Sequence, residues 1–170
     1  VIFRRSQHQQ SAVNQRPDEN QPDGVAQRRI TLVKNQFRMV VDGQESSEYV
    51  AVSAAQFSPE GSRVAYAGQS GTRMLDALGR PLGRQQQFVV VNSVEGAAYD
   101  EVGPPVFSPD GQRIAHRARR DKKWAVVLDS VEGKWCDAVG DPVFSPDGRR
   151  IAHGAKRDGK VVIVLDGVEG

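Results

Sequence analysis

Two histidines and one cysteine are the residues of this chain that most readily suggest chemistry. His116 and His153 lie 37 residues apart, and Cys136 is the single cysteine. Imidazole and thiolate groups are ligands of zinc and other transition metals. The same position one unit earlier, however, holds Tyr66. Because residues two apart on a strand share a face, each histidine should point the same way as the isoleucine two residues before it. A half-buried aromatic position between sheets explains Tyr66, His116 and His153, and no metal or cofactor is predicted.

Acidic residues also recur, but their pattern indicates structure rather than catalysis. An acid or amide ends each of four apolar runs: Asp42, Asn92, Asp129 and Asp166. A catalytic carboxylate would not tolerate an amide in its place, whereas a turn residue would. A glutamate follows three residues later in every copy, and it is interpreted as a turn residue: Glu45, Glu95, Glu132 and Glu169. The segment 68–71, Gly-Gln-Ser-Gly, lacks the glycine spacing of a nucleophile elbow. The chain is therefore not predicted to be an enzyme.

The elements that position these residues belong to a sequence repeat. Phe-Ser-Pro-Asp-Gly occurs at 107–111 and 144–148, Phe-Ser-Pro-Glu-Gly at 57–61, and Pro-Asp-Gly alone at 22–24. The four prolines lie 37, 50 and 37 residues apart. A fixed period of this length is typical of propellers and solenoids. Units are predicted to start near residues 22, 59, 109 and 146, and the second unit carries a 13-residue insertion within 69–86.

Each unit predicts four short antiparallel strands, called a to d. Strand a precedes the Pro-Asp-Gly turn, strand b is Arg-Ile-Ala-His, and strand c is the β-branched run that ends in Asp or Asn. Polar b–c turns are predicted at 119–123 and 156–160, and a c–d turn of about five residues contains Val-Glu-Gly. Strand d is predicted to hold six recurring residues: Tyr49, Tyr99, Cys136, Val52, Val102 and Val139. A four-stranded sheet repeated radially is a β-propeller blade, so the predicted class is all-β.

The Phe-Ser-Pro-Asp-Gly-x-Arg-Ile-Ala unit, followed by a β-branched strand ending in Asp, resembles the WD-like β-propeller repeat of bacterial proteins. That TolB-like repeat also occurs in tricorn-type and prolyl-oligopeptidase-type proteases. The resemblance covers residues 50–170 well and 22–49 weakly. It implies about 3.5 to 4 blades of a larger ring and a non-catalytic scaffold for a protein or peptide partner. Two alternatives stay open: an accessory propeller of a larger hydrolase, and carbohydrate or cell-surface binding. The resemblance implies a periplasmic or extracellular location, with a cytoplasmic one left open.

Function is predicted where the repeat is broken. Residues 1–21 are polar and glutamine-rich, which predicts a flexible N-terminal arm ahead of the repeats at 22–170. The insertion carries apolar residues that suggest a contact surface: Met74, Leu75, Leu78 and Leu82. A basic run in the third unit suggests a second one: Arg117, Arg119, Arg120, Lys122 and Lys123. Loop elaboration and a solvated hairpin tip are the simpler interpretations of these two segments.

Composition excludes several other classes of partner. The net charge is +2, and no aromatic residue interrupts the basic run, so a nucleic-acid partner is not predicted. No apolar run approaches the roughly 18–20 residues needed to span a bilayer, so no membrane span is predicted. Self-association through open blade edges is expected, since unpaired edges and faces promote contacts between sheets.

Overall fold

The computed structural model describes residues 28–33, 36–41, 43–71 and 85–170. In this part of the chain the regular elements are all β-strands, and none of its segments is a helix that could cross a membrane. The strands form four antiparallel sheets, one for each predicted unit. The all-β prediction is therefore confirmed. The predicted arm at 1–21 and residues 72–84 of the insertion lie outside the described residues.

Within the described residues, eighteen strands make up the four sheets. The first sheet contains β1 (Arg28–Val33), β2 (Gln36–Val41) and β3 (Gln44–Glu45). The second contains β4 (Ala51–Val52), β5 (Gln56–Phe57), β6 (Val64–Ser70), β7 (Gln86–Val91) and β8 (Val94–Glu95). The third contains β9 (Glu101–Val102), β10 (Val106–Phe107), β11 (Ile114–Arg120), β12 (Lys123–Leu128) and β13 (Val131–Glu132). The fourth contains β14 (Ala138–Val139), β15 (Val143–Phe144), β16 (Ile151–Arg157), β17 (Lys160–Leu165) and β18 (Val168–Glu169).

The last three sheets share one topology, shown here by the third. Strand b is β11, and two short strands, β9 and β10, pair with it on one side. Strand c is β12, which pairs with β11 on the other side and with the short strand β13 at its outer edge. Since β9 and β10 are two halves of one interrupted strand a, the order is a–b–c–d. The four-stranded antiparallel blade of a β-propeller is confirmed.

The predicted content of strand d is partly wrong. Val52, Val102 and Val139 open strand a of the following blade, as the pairing of Val102 with Ala118 shows. Three residues earlier, Tyr49, Tyr99 and Cys136 each pair with strand c of their own blade through a single bridge, such as that between Trp124 and Cys136. The chain therefore passes from one blade to the next within two or three residues. This short crossing holds neighbouring blades face to face.

The two hairpin turns are shorter than predicted. Only Asp129 and Ser130 separate β12 from β13, and both have positive φ, 48° and 70°. Two such residues define a type I′ turn, whose twist matches that of the flanking strands. Val131 and Glu132 thus form strand d, and Gly133 follows it directly, so Val-Glu-Gly does not lie in the turn. The b–c turn is likewise only Asp121 and Lys122, with φ of 50° and 66°, so Arg117 to Arg120 belong to β11 and not to a hairpin tip.

The acid at the end of strand c anchors the start of strand b. Asp129 Oδ1 accepts a hydrogen bond from the Ile114 amide at 2.8 Å, and Asn92 Oδ1 accepts one from the Val64 amide at 2.9 Å. The position therefore needs a side-chain oxygen and no charge, which explains why Asn can replace Asp.

Asp129→Asn is expected to change the free energy of unfolding by no more than about 0.5 kcal/mol. Asp129→Ala should cost about 1–3 kcal/mol, because it leaves the Ile114 amide without an acceptor. Urea unfolding of both variants measures the difference. Equal costs for Asn and Ala would show that the acceptor oxygen does not hold the hairpin.

The apolar core lies between blades. One cluster joins the first two sheets, with Met39 against Tyr66 and Phe88. A second joins sheets two and three, with Val89 against Ile114. A third cluster joins sheets three and four. Each blade buries its faces against its neighbours, so the stack and not the single blade is the folded unit.

Candidate functional site

The repeated arginine before strand b joins each blade to the next. The guanidinium carbon of Arg63 lies 5.1 Å from the centre of the Phe107 ring, and Nη1 donates to the Gly111 carbonyl at 2.9 Å. Arg113 repeats this contact on the Phe144 ring at 5.7 Å. A cation over an aromatic face is attractive by about 0.5–1 kcal/mol at exposed sites. The Phe-Ser-Pro-Asp-Gly turn therefore receives the arginine of the preceding blade, which gives the repeated residues a structural role.

The repeated glutamate also contacts the preceding blade. The Tyr49 hydroxyl donates to Glu95 Oε1 at 2.9 Å, and the Tyr99 hydroxyl donates to Glu132 Oε1 at 3.0 Å. Burial, together with the hydrogen bond to Glu132, raises the pKa of Tyr99 to about 12, so the hydroxyl stays protonated at neutral pH. The interpretation of this glutamate as a turn residue is wrong, because it lies in strand d and accepts a hydrogen bond between blades.

The two histidines face different blade junctions. His116 is buried between sheets two and three, and its ring meets the Tyr99 ring edge-on at 6.2 Å between centres. Neither of its ring nitrogens has a hydrogen-bond partner in the part of the chain that the structure describes. Burial lowers the pKa of His116 to about 4 and also lowers that of His153 at the next junction. Over the described ranges, no three His, Cys, Asp or Glu side chains come together as a metal site.

Three of the predicted basic residues lie against aromatic rings. The guanidinium carbons of Arg117 and Arg119 are 5.2 and 5.5 Å from the centre of the Trp124 ring. On the opposite face of the same sheet, Arg120 lies 4.9 Å from the centre of the Tyr99 ring and 5.2 Å from that of Trp135. We call this group the Arg–Trp surface: Arg117, Arg119, Arg120, Trp124, Trp135 and Tyr99.

Each arginine of the Arg–Trp surface has an acidic partner. The pairs and their N–O distances are Arg117 with Asp141 (3.1 Å), Arg119 with Glu101 (3.0 Å) and Arg120 with Glu132 (2.9 Å). Lys123 pairs with Asp137 at 2.5 Å, and Lys122 is exposed in the turn. These pairs hold the guanidinium groups over the rings and offset their charge. The surface therefore offers mixed charge and aromatic area.

The insertion begins and ends at the same end of the blades as the Arg–Trp surface, where strand b turns into strand c. We call this the b–c end. β6 runs to Ser70 and β7 starts at Gln86, and these two residues pair across the sheet. The insertion therefore leaves the second blade at the place where the third blade has its short turn at Asp121 and Lys122. Four predicted contact residues of the insertion lie outside the described residues: Met74, Leu75, Leu78 and Leu82. A role of either segment in partner binding stays a prediction.

The tryptophans were missed by the sequence reasoning. Trp124 and Trp135 are the two tryptophans of the chain, and both lie in the third unit. The aromatics are absent from the basic run itself, but strand pairing brings them beside it: Trp124 is the cross-strand partner of Arg119. Their concentration in one unit of an otherwise regular repeat was the signal available.

No protein-family model matches the chain, and no curated protein matches it. Among solved structures, the chain is similar to the crystal structure of TolB from Acinetobacter baumannii, at a TM-score of 0.44 and 15% sequence identity. The match covers 79% of this chain and 36% of that one. The chain thus spans about a third of the length of the TolB structure.

Proposed function

We propose that the chain is a non-catalytic propeller scaffold that binds a protein or peptide at the b–c end of its second and third blades. The Arg–Trp surface is the observation that carries the proposal. Tryptophan, tyrosine and arginine are the residues most enriched among those that dominate binding energy at protein interfaces. Here the arginines and tryptophans are partly exposed, and ion pairs hold the arginines in place, so little of their side-chain entropy is lost when a partner binds.

The symmetry of the repeat supports the same location. The repeated residues join blades through the Arg63–Phe107 and Tyr99–Glu132 contacts, so they are engaged within the chain. The residues that depart from the repeat are the insertion and four members of the Arg–Trp surface: Arg117, Arg119, Trp124 and Trp135. Because connecting segments at one end of a rigid scaffold commonly carry function, the b–c end is the natural place for a partner.

The partner is expected to offer an aromatic or apolar anchor flanked by charges of both signs. Arg119 and Glu101 are each 40% exposed and form a rim beside the Trp124 ring. Two guanidinium groups already lie over that ring, so a sugar would have to displace them before it could stack. This occupancy favours a peptide over a carbohydrate. The resemblance to periplasmic and extracellular propellers supports a partner outside the cytoplasm.

The proposal is tested by selecting peptides from a random display library against the full chain and measuring their affinities by calorimetry. Arg119→Ala and Trp124→Ala should each weaken a selected peptide at least about tenfold, as expected for central interface residues. Arg150→Ala is the matched control, because Arg150 pairs with Asp166 at the opposite end of the fourth sheet. Selection of no peptide, or of peptides that bind both Ala variants as tightly as the natural chain, would contradict the proposal.

A further inference from the structure

A pocket of about 170 Å³ lies between the second and third blades. It opens at the end of the blades where strand c turns into strand d, and Val94 and Ser130 are exposed there. The Arg–Trp surface lies at the opposite end and shares only Tyr99 with the pocket. The wall consists of apolar side chains and two rings that face the junction from both blades: Val89, Val91, Ile114, Val127, Tyr99 and His116.

The pocket is open because two side chains at this junction are smaller than their equivalents at the first junction. The residues 50 positions before Val89 and His116 are Met39 and Tyr66. Both are longer, and both are almost completely buried in the cluster that joins the first two sheets. The other four wall positions carry the same residue at the first junction or one that is a methylene smaller: Val41, Val64, Val90 and Tyr49. The space that Met39 and Tyr66 fill is therefore left open where Val89 and His116 stand.

The polar side chains beside the pocket are buried, already engaged or turned away from it. The Tyr99 hydroxyl donates to Glu132 at 3.0 Å. Burial lowers the pKa of His116 to about 4, so the ring is uncharged at neutral pH, and because both nitrogens are buried it lines the pocket through its carbon atoms. The Glu95 carboxylate faces the first junction, where it accepts a hydrogen bond at 2.9 Å. Among the lining residues, only Ser130 at the solvent-exposed mouth offers a polar side chain to a ligand.

Size and lining together limit the class of ligand. An apolar cavity of about 150 Å³ in another protein stays dry and binds one benzene molecule, so this pocket has room for a single ring. A charged ligand would lose its hydration in the pocket without gaining a partner, which is costly. A hydroxyl group on the ligand would at best exchange water for Ser130 at the mouth, so it should add no affinity.

From the size and the lining we propose that the second blade junction binds an uncharged hydrocarbon with a single ring. The ring contacts Val89 of the second blade on one side and Ile114 of the third blade on the other. Its binding is driven by the burial of apolar surface and not by a hydrogen bond. The ligand contacts two blades at once, so it binds only when they are stacked and should stabilise the junction.

The test is a titration of the full chain with benzene, followed by NMR through the amide signals of Gly96 and Ala97, which line the pocket. Saturable binding with a Kd of about 1 mM is expected for so small a ligand. Val89→Met, alone and together with His116→Tyr, inserts the residues of the first junction and should weaken benzene at least about tenfold. Ile163→Met is the matched control, because this equivalent position in the fourth blade is 62% exposed and lies outside the pocket. It should leave the benzene affinity unchanged.

Two further ligands test whether the pocket lacks a polar partner. Phenol has the same ring with a hydroxyl group and should bind no more tightly than benzene. Benzoate should bind at least about tenfold more weakly than benzene, because its charge would be desolvated. Absence of saturable benzene binding by the natural chain would overturn the proposal, and so would benzene binding that both Val89→Met variants leave intact. Phenol binding at least about tenfold tighter than benzene would overturn the apolar class of ligand.

Discussion

Val126→Glu is expected to lower the free energy of unfolding by about 3–5 kcal/mol, the range for an unpaired charge placed in a protein interior. Val126 is only 6% exposed, and it packs between the third and fourth blades with Ile151 and Val164. Its cluster neighbours are apolar, and the guanidinium of its cross-strand partner Arg117 already pairs with Asp141 at 3.1 Å, so an added carboxylate would be buried against the fourth blade without a partner of its own. The blades should separate locally or unfold together, and urea denaturation followed by circular dichroism measures the loss.

Ile163→Glu is the matched control, because Ile163 occupies the equivalent position one blade later. Its side chain is mostly exposed, so the same substitution should change the free energy of unfolding by no more than about 0.5 kcal/mol. The two substitutions therefore compare the same repeat position with and without a blade packed over it. Similar costs at both positions would mean that the third and fourth blades do not pack against each other as described.

Acid should destabilise the chain through His116. Burial lowers the pKa of His116 from 6.5 to about 4, so between these values the unfolded state binds a proton that the folded state does not. Folding stability must then fall as the pH falls through this window, and below about pH 4 it falls no further on account of this group. A shift of this size corresponds to about 3 kcal/mol.

His116→Tyr removes the titrating group and keeps an aromatic ring, as at Tyr66 in the preceding blade. Urea unfolding at a series of pH values between 6.5 and 4 should show a smaller loss of stability in this variant than in the natural chain. Carboxylates whose pKa is lowered, such as Asp110 and Asp147, contribute equally to the pH profiles of both proteins. Their contribution therefore cancels when the two profiles are subtracted. Identical pH profiles would show that His116 is not buried in its uncharged form.

The blade could be predicted from the sequence because its signals are local. Pro-Asp-Gly between apolar segments indicates a turn through the preferred φ of proline and glycine. The 37-residue spacing then indicates that each copy of this turn joins strands a and b of its own blade. Turn length was harder to predict, since Asp129 and Ser130 adopt positive φ without a glycine. In sequence, a two-residue type I′ turn of Asp-Ser resembles a longer polar loop. Val-Glu-Gly was therefore predicted to lie in the turn, although Val131 and Glu132 belong to strand d.

Contacts between blades could not be predicted, because no local pattern encodes them. Arg63 and Phe107 are 44 positions apart, yet the Arg63 guanidinium lies over the Phe107 ring. The Tyr99–Glu132 hydrogen bond likewise joins two units, and its geometry depends on how the sheets stack. The same holds for Arg119, whose charge is conspicuous in sequence but whose ring contact with Trp124 requires the strand register.

The repeats form blades stacked face to face, and the natural thiol offers the most direct test of this arrangement. Cys136 is the single cysteine of the chain, and it is 3% exposed at the third junction, where Arg157 Nη2 lies 3.3 Å from its sulfur. A thiol reagent should therefore modify the native chain at least about 100-fold more slowly than the urea-unfolded chain, equivalent to an opening free energy of about 2.8 kcal/mol. Reaction of native Cys136 at the unfolded rate would contradict the stacked blades.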